Sequence, residues 1–146
     1  MTIKDFMTHH HRGCDQLLVL TEDAVDKKDF TDAAVKYKDF KDETLKHFDI
    51  EESFLFPTFE ERSGMGGCGP TQVMRMEHEQ VRMLLDKLDE ALLQTESDRF
   101  FGLSESLMIL LQQHNAKEEQ MLYTMMQNLL SEQNDEIVQR LMSYGR

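Results

Sequence analysis

His47-Phe48-Asp49-Ile50-Glu51-Glu52-Ser53-Phe54-Leu55-Phe56 returns 67 positions later as His114-Asn115-Ala116-Lys117-Glu118-Glu119-Gln120-Met121-Leu122-Tyr123, with His, both Glu, Leu and the aromatic in register. On a helix, residues four apart share a face. Each segment therefore aims an imidazole and a carboxylate at one point, and Leu and the aromatic continue into the core a turn later. A lone His with Glu four residues on is an ordinary helix-surface pair, stabilising by about 0.2–0.5 kcal/mol. Here both pairs fall on apolar stripes, where core residues belong.

Read outward from these segments, the chain resolves into four long helices and a shorter tail helix. The first covers about 3–28, with Phe6, Cys14, Leu17, Leu18, Ala24 and Val25 on its apolar face. A break at 29–31, with Thr31 as the expected N-cap, leads to a second helix running to about 62 through Val35, Phe40, Thr44, His47, Phe48, Glu51 and Leu55. Pro57 should kink or end its hydrogen bonding. The glycine run at 64–69 is a loop, and Pro70 opens a third helix reaching about 94 through Met74, His78, Val81, Leu85 and Leu88. Ser97 is the expected cap of a fourth, whose face carries Leu103, Leu107, Leu111, His114, Glu118, Met121 and Leu122. Ser131 or Asn134 starts the tail helix, about 132–144. Short connections between the first and second and between the third and fourth helices favour antiparallel neighbours. The expected fold is all-α: an up-down antiparallel four-helix bundle over about 3–130 with a short C-terminal helix, the whole of 1–146 forming one domain.

Composition sets the outer bounds. With 146 residues there is one real core to build. Two prolines, few glycines and eleven methionines suit helix interiors, where the thioether fills irregular gaps. Sixteen basic residues against 28 acidic ones give −12, a surface that repels phosphate backbones and anionic lipid. Nucleic acid and membrane are therefore not expected partners. The N-terminus lacks the apolar core of a signal peptide and no 18-residue apolar run occurs, so a cytoplasmic location is expected. Cys14 and Cys68 lack a Cys-x-x-Cys spacing. Both are expected as thiols, Cys14 in the core and Cys68 reachable in the glycine loop.

Polar residues that interrupt the apolar faces carry the chemistry. His47 and Glu51, His114 and Glu118, and His78 point inward, and the first helix begins with His9-His10-His11. A buried, unpaired carboxylate costs several kcal/mol. Converging acids and imidazoles need a mutual hydrogen-bond network or a cation. Glu52 and Glu119 lie one position further round, facing solvent or lying behind the inward groups, and replacing them should matter much less. Other metal motifs are absent. No histidine has Glu three residues before it, as the ferritin-like sites require. His78-Glu79 is followed by Arg82 where a zinc-protease helix needs His. The cysteine placement excludes Cys-rich zinc sites.

One His on the first helix, His-x-x-x-Glu on the second, Glu77-His78 on the third and His-x-x-x-Glu on the fourth resemble the hemerythrin-like, HHE cation-binding domain over about residues 3–130. Leu55-Phe56-Pro57 and Val73-Met74-Arg75-Met76-Glu77-His78 strengthen the resemblance. It implies a non-haem centre of two iron ions with an oxo or hydroxo bridge. His47, His78 and His114 would be terminal ligands, and Glu51 and Glu118 the bridging carboxylates. On the first helix, the family's spacing matches His11, Cys14, Leu17 and Leu18 and so selects His11, while His10 also lies above Cys14 and Leu17. Oxygen-carrying hemerythrins add a second third-helix His four residues from the first. Here those positions are Met74 and Arg82, which would leave each iron with about five ligands and open positions on both.

Such a centre suits dioxygen or a related small molecule, NO or peroxide, bound for storage or sensing. The alternative is an enzyme reducing NO or peroxide, or handling iron in the repair of iron centres. That reading requires an electron-donor protein, since the chain shows no second redox cofactor. A third reading is a helical bundle whose histidines form only a polar network.

Overall fold

A computed structural model describes residues 1–144. Helix α1, Ile3–Asp26, opens on a reciprocal cap in which the Thr2 hydroxyl accepts from the Asp5 amide and the Asp5 side chain from the Thr2 amide. Asp29, rather than Thr31, caps α2 (Phe30–Ile50) by accepting from the Asp32 amide at 3.1 Å. The second rod does not stop at Pro57. It widens into a π-turn at Glu51–Leu55 and resumes as α3, Phe56–Ser63. Gly64, at φ 74°, ends α3 in the left-handed conformation that glycine adopts without strain. Gly69 precedes α4, Pro70–Leu93, with proline at its first position.

Helix α5, Ser97–Lys117, begins after Glu96, and Ser97 makes no side-chain cap. It too widens into a π-turn, Glu118–Leu122, before α6, Tyr123–Leu129. A short 3₁₀ turn at Ser131–Gln133 leads to α7, Asn134–Ser143. Both expected starts of the tail are thus used in succession. The Asn134 side chain accepts the otherwise unpaired Ile3 amide at 3.1 Å and so ties α7 to the start of α1.

The four rods α1, α2–α3, α4 and α5–α6 close a ring in which α1 packs on α2 and on α5–α6, and α4 on α2 and α5. This is the expected all-α, up-down four-helix bundle with a short C-terminal helix. Among the described residues no helix is long and apolar enough to cross a membrane. Val35 and Met121, read as core-facing, are exposed at 55% and 47%. Met121 lies inside the π-turn, which turns it outward.

The interior has two apolar clusters. One contains Cys14, Leu18, Phe40, Phe48, Val81, Leu85 and Leu111. The other contains Met7, Leu55, Phe56, Met74, Leu122 and Tyr123, together with Ile137, Val138 and Leu141 of α7. Along α1, His11 falls between Met7 and Cys14. Along α4, His78 falls between Met74 and Val81, and along the fourth rod His114 lies between Leu111 and Leu122. The polar residues therefore form a layer between two hydrophobic halves.

Candidate metal centre

Both copies of the repeated segment adopt the same irregularity at the same register. In each, the amide of the closing aromatic bonds five residues back, Phe56 to the Glu51 carbonyl and Tyr123 to the Glu118 carbonyl. Pro57 cannot be the common cause, because the second copy has Thr124 there. The π-turn is a property of the repeat, and such turns recur at functional sites. It sets each inward Glu beneath the aromatic five residues on.

The structure brings His11, His47, Glu51, His78, His114 and Glu118 together, with none more than 4% exposed. They fall into two groups of ligand atoms lying within 4.8 Å of one another: Glu51, His78, His114 and Glu118, and His11, His47 and Glu118. Glu118 is common to both. Its Oε1 lies 3.1 Å from His11 Nε2 and 3.2 Å from His114 Nε2. Glu51 Oε1 lies 3.1 Å from His78 Nε2 and 3.6 Å from His47 Nε2. The two carboxylates thus span the cluster from opposite rods.

Each outer nitrogen is held by a partner, while among the inner ones His78 Nε2 and His114 Nε2 are left free. His11 Nδ1 donates to Glu119 at 2.8 Å, His78 Nδ1 to Glu52 at 2.6 Å, and His114 Nδ1 to Glu77 at 2.8 Å. His47 Nδ1 donates to His10 Nδ1 at 2.9 Å, and His10 Nε2 donates in turn to Glu43 at 2.9 Å. With the outer nitrogens so held, every Nε2 faces inward, and a metal that displaces the Nε2 protons would find its lone pairs already aimed, the arrangement by which carboxylates orient metal-binding histidines. Glu52 is braced by Arg82 at 3.0 Å and Glu77 by Lys117. Phe48 stacks on His78 with ring centroids 3.8 Å apart.

His10 therefore belongs behind His47, not in either ligand group, and His9 is exposed. Glu52 and Glu119 lie behind the inward groups and orient two of the imidazoles. Sequence reasoning missed Glu43 as a brace; the one signal was its place four residues before His47. It also read Tyr123 as a core aromatic. Its hydroxyl instead enters the cluster, donating to Glu51 Oε2 at 2.7 Å.

The electrostatics are those of charges crowded out of water. Burial and the facing Glu118 carboxylate push Glu51 up to about 8. Burial acts on Glu118 in the same sense, but the His114 imidazolium and its hydrogen bonds outweigh it and hold Glu118 well below the usual range. Burial, reinforced by His11, keeps His47 neutral. For His114 burial is overcome by Glu118, which lifts it to about 9.

The donor set fits a cation. Four buried side-chain atoms of the first group, Glu51 Oε1, His78 Nε2, His114 Nε2 and Glu118 Oε2, have no hydrogen-bond partner. His78 Nε2 and Glu51 Oε1 are close enough to bond but are misaligned, as are His114 Nε2 and Glu118 Oε1. Such atoms would each cost free energy in a protein meant to stay empty. Imidazole and carboxylate together suit iron and related transition metals. No curated protein and no solved structure gives a significant match to this chain. The model of the hemerythrin HHE cation-binding domain matches residues 2–126, and the chain belongs to that family.

Proposed function

We propose that the chain is a non-haem di-iron protein that binds dioxygen or a related small molecule, NO or peroxide, for storage or sensing. His78 and His114 would hold one ion, His11 and His47 the other, with Glu51 and Glu118 bridging. Iron bound there would supply a redox-active position at which a small molecule can attach. The residues supply the rest: outer carboxylates fix the imidazoles, and the apolar halves exclude water.

The observation that carries the small-molecule reading is a small, partly open cavity of about 20 Å³ against His11 and His47, walled by Cys14, Phe48 and Leu111 and by the polar Asp15, Thr44 and Asn115. That volume matches about one water-sized molecule. Thr44, 3% exposed, lines the cavity, and among the described residues its hydroxyl has no oxygen or nitrogen partner, only the Cys14 sulfur beside it. It is a ready hydrogen-bond donor to a polar diatomic. Unpaired thiols at Cys14 and Cys68 support a reducing, cytoplasmic setting.

The test is the optical spectrum of anaerobically reduced, iron-loaded protein, before air, after air and after the gas is removed again. A spectral change that appears with air and reverses on deoxygenation is expected. Prompt irreversible oxidation, or turnover of NO or peroxide with an electron-donor protein, would transfer the site to the enzymatic reading.

A further inference from the structure

Tyr123 sits where the two repeats differ. Each π-turn places an aromatic five residues beyond an inward Glu, Phe56 in one copy and Tyr123 in the other. Phe56 is a hydrocarbon wall, its ring centroid 5.8 Å from that of His78. Tyr123, fully buried, adds one oxygen to the interior. That oxygen lies 2.7 Å from Glu51 Oε2, 3.1 Å from Glu118 Oε1, 3.2 Å from His47 Nε2 and 3.3 Å from His11 Nε2. It touches four of the six candidate ligands, two imidazoles and both carboxylates.

These spacings have a simple reading. Donor atoms at right angles around an ion about 2.1 Å away stand about 3.0 Å apart. A phenol has one proton to donate, so hydrogen bonding alone can satisfy only one of the two carboxylates that crowd its oxygen. We propose that Tyr123 is itself an oxygen ligand, completing the subsite of His11, His47 and the two carboxylates with a phenolate. The phenol proton leaves to solvent on metal uptake, as metal binding requires of its ligands. The ion then has five donors from the protein. Tyr123 approaches from the half of the core containing Phe56 and Leu122, whereas the cavity opens among Cys14, Phe48 and Leu111 of the other half. The cavity-facing side therefore stays free for a small molecule.

This inference rests on the metal reading above, and the experiment separates the two. The protein is loaded with iron and oxidised, its metal content is measured, and resonance Raman spectra are taken on natural and ring-deuterated-tyrosine protein. A phenolate on ferric iron gives a visible charge-transfer band and ring modes that move on deuteration. The other two tyrosines are committed elsewhere, Tyr37 to the Leu85 carbonyl at 2.5 Å and Tyr144 to Asp49 at 2.6 Å, so the signal reports Tyr123. Two iron ions per chain with deuterium-sensitive phenolate modes are expected. Tyr123→Phe should abolish those modes and weaken one ion at least about tenfold. Phe56 shows that a bare ring is compatible with this turn. Two ions with no phenolate modes would overturn the inference and leave the metal reading standing. One ion in the native chain, rising to two in Tyr123→Phe, would also overturn it, because the hydroxyl would then occupy an ion's place. A chain that takes up no iron overturns both.

Discussion

Glu51 and Glu118 each reach two imidazoles across the cluster, so Ala at either position removes a span and leaves buried nitrogens unpaired. Loss of bound metal and a lowered melting temperature are expected, read by elemental analysis and thermal unfolding. Ala at Glu52 removes the partner of His78 Nδ1 and of Arg82, and Ala at Glu119 that of His11 Nδ1. Metal should still bind, about 10–100-fold more weakly, which is a larger effect than their place on the helical wheel alone suggests. Equal loss at all four positions would contradict the division between inner and outer carboxylates. At Thr44, the near-isosteric Val should leave metal content unchanged and weaken small-molecule retention by about 2–10-fold, the worth of one hydrogen bond. The protons give a further expectation. Glu51 rises from 4.5 to about 8 and His114 from 6.5 to about 9. Raised folded-state values stabilise fully below the unfolded value, and that stabilisation is lost as pH climbs through the folded one. His47 is shifted the other way, and its contribution is already complete above 6.5. The melting temperature of metal-free protein should therefore fall between pH 6.5 and 9. Metal competes with these protons, so the loaded protein should not follow. Parallel decline in both forms would count against the cluster as the metal site.

At the scale of elements, helical periodicity made the rods readable, because apolar residues recur with the helix period along each. The register of His11 was legible in the same way, through Cys14, Leu17 and Leu18 on its face. The π-turns were not. An i→i+5 turn inserts one residue without any residue type that announces it, so Met121 was assigned inward and Tyr123 was given the role of its counterpart Phe56. Contacts made across helices, such as His10 with Glu43 and His114 with Glu77, depend on rotation and spacing between rods, which a single sequence does not encode locally. The tail helix separates stability from the site. Leu141, 2% exposed, belongs to the apolar cluster that contains Met7, Leu130 and Met126, and is itself no member of either ligand group. Leu141→Ala should cost about 2–5 kcal/mol in denaturant unfolding while metal content is kept. Loss of metal at full stability would contradict that separation.

Over the whole molecule, a polar layer of four imidazoles and two carboxylates divides what would otherwise be one apolar core. Each of the four rods contributes to it, so metal bound there ties all four together. The net charge of −12 keeps the exterior hydrated, while six of the glutamates, Glu43, Glu51, Glu52, Glu77, Glu118 and Glu119, belong to the site or brace it. The exterior was legible as a class of surface; the interior became specific only when the helices were assembled and the unpartnered Nε2 and Oε atoms faced each other. The proposed function depends on those atoms being ligands. The most direct measurement is the iron content of the chain after anaerobic loading with ferrous iron and removal of the excess. Two ions per chain are expected, falling sharply in Glu118→Ala, the residue common to both groups. No bound iron, or an amount unchanged in Glu118→Ala, would contradict the account.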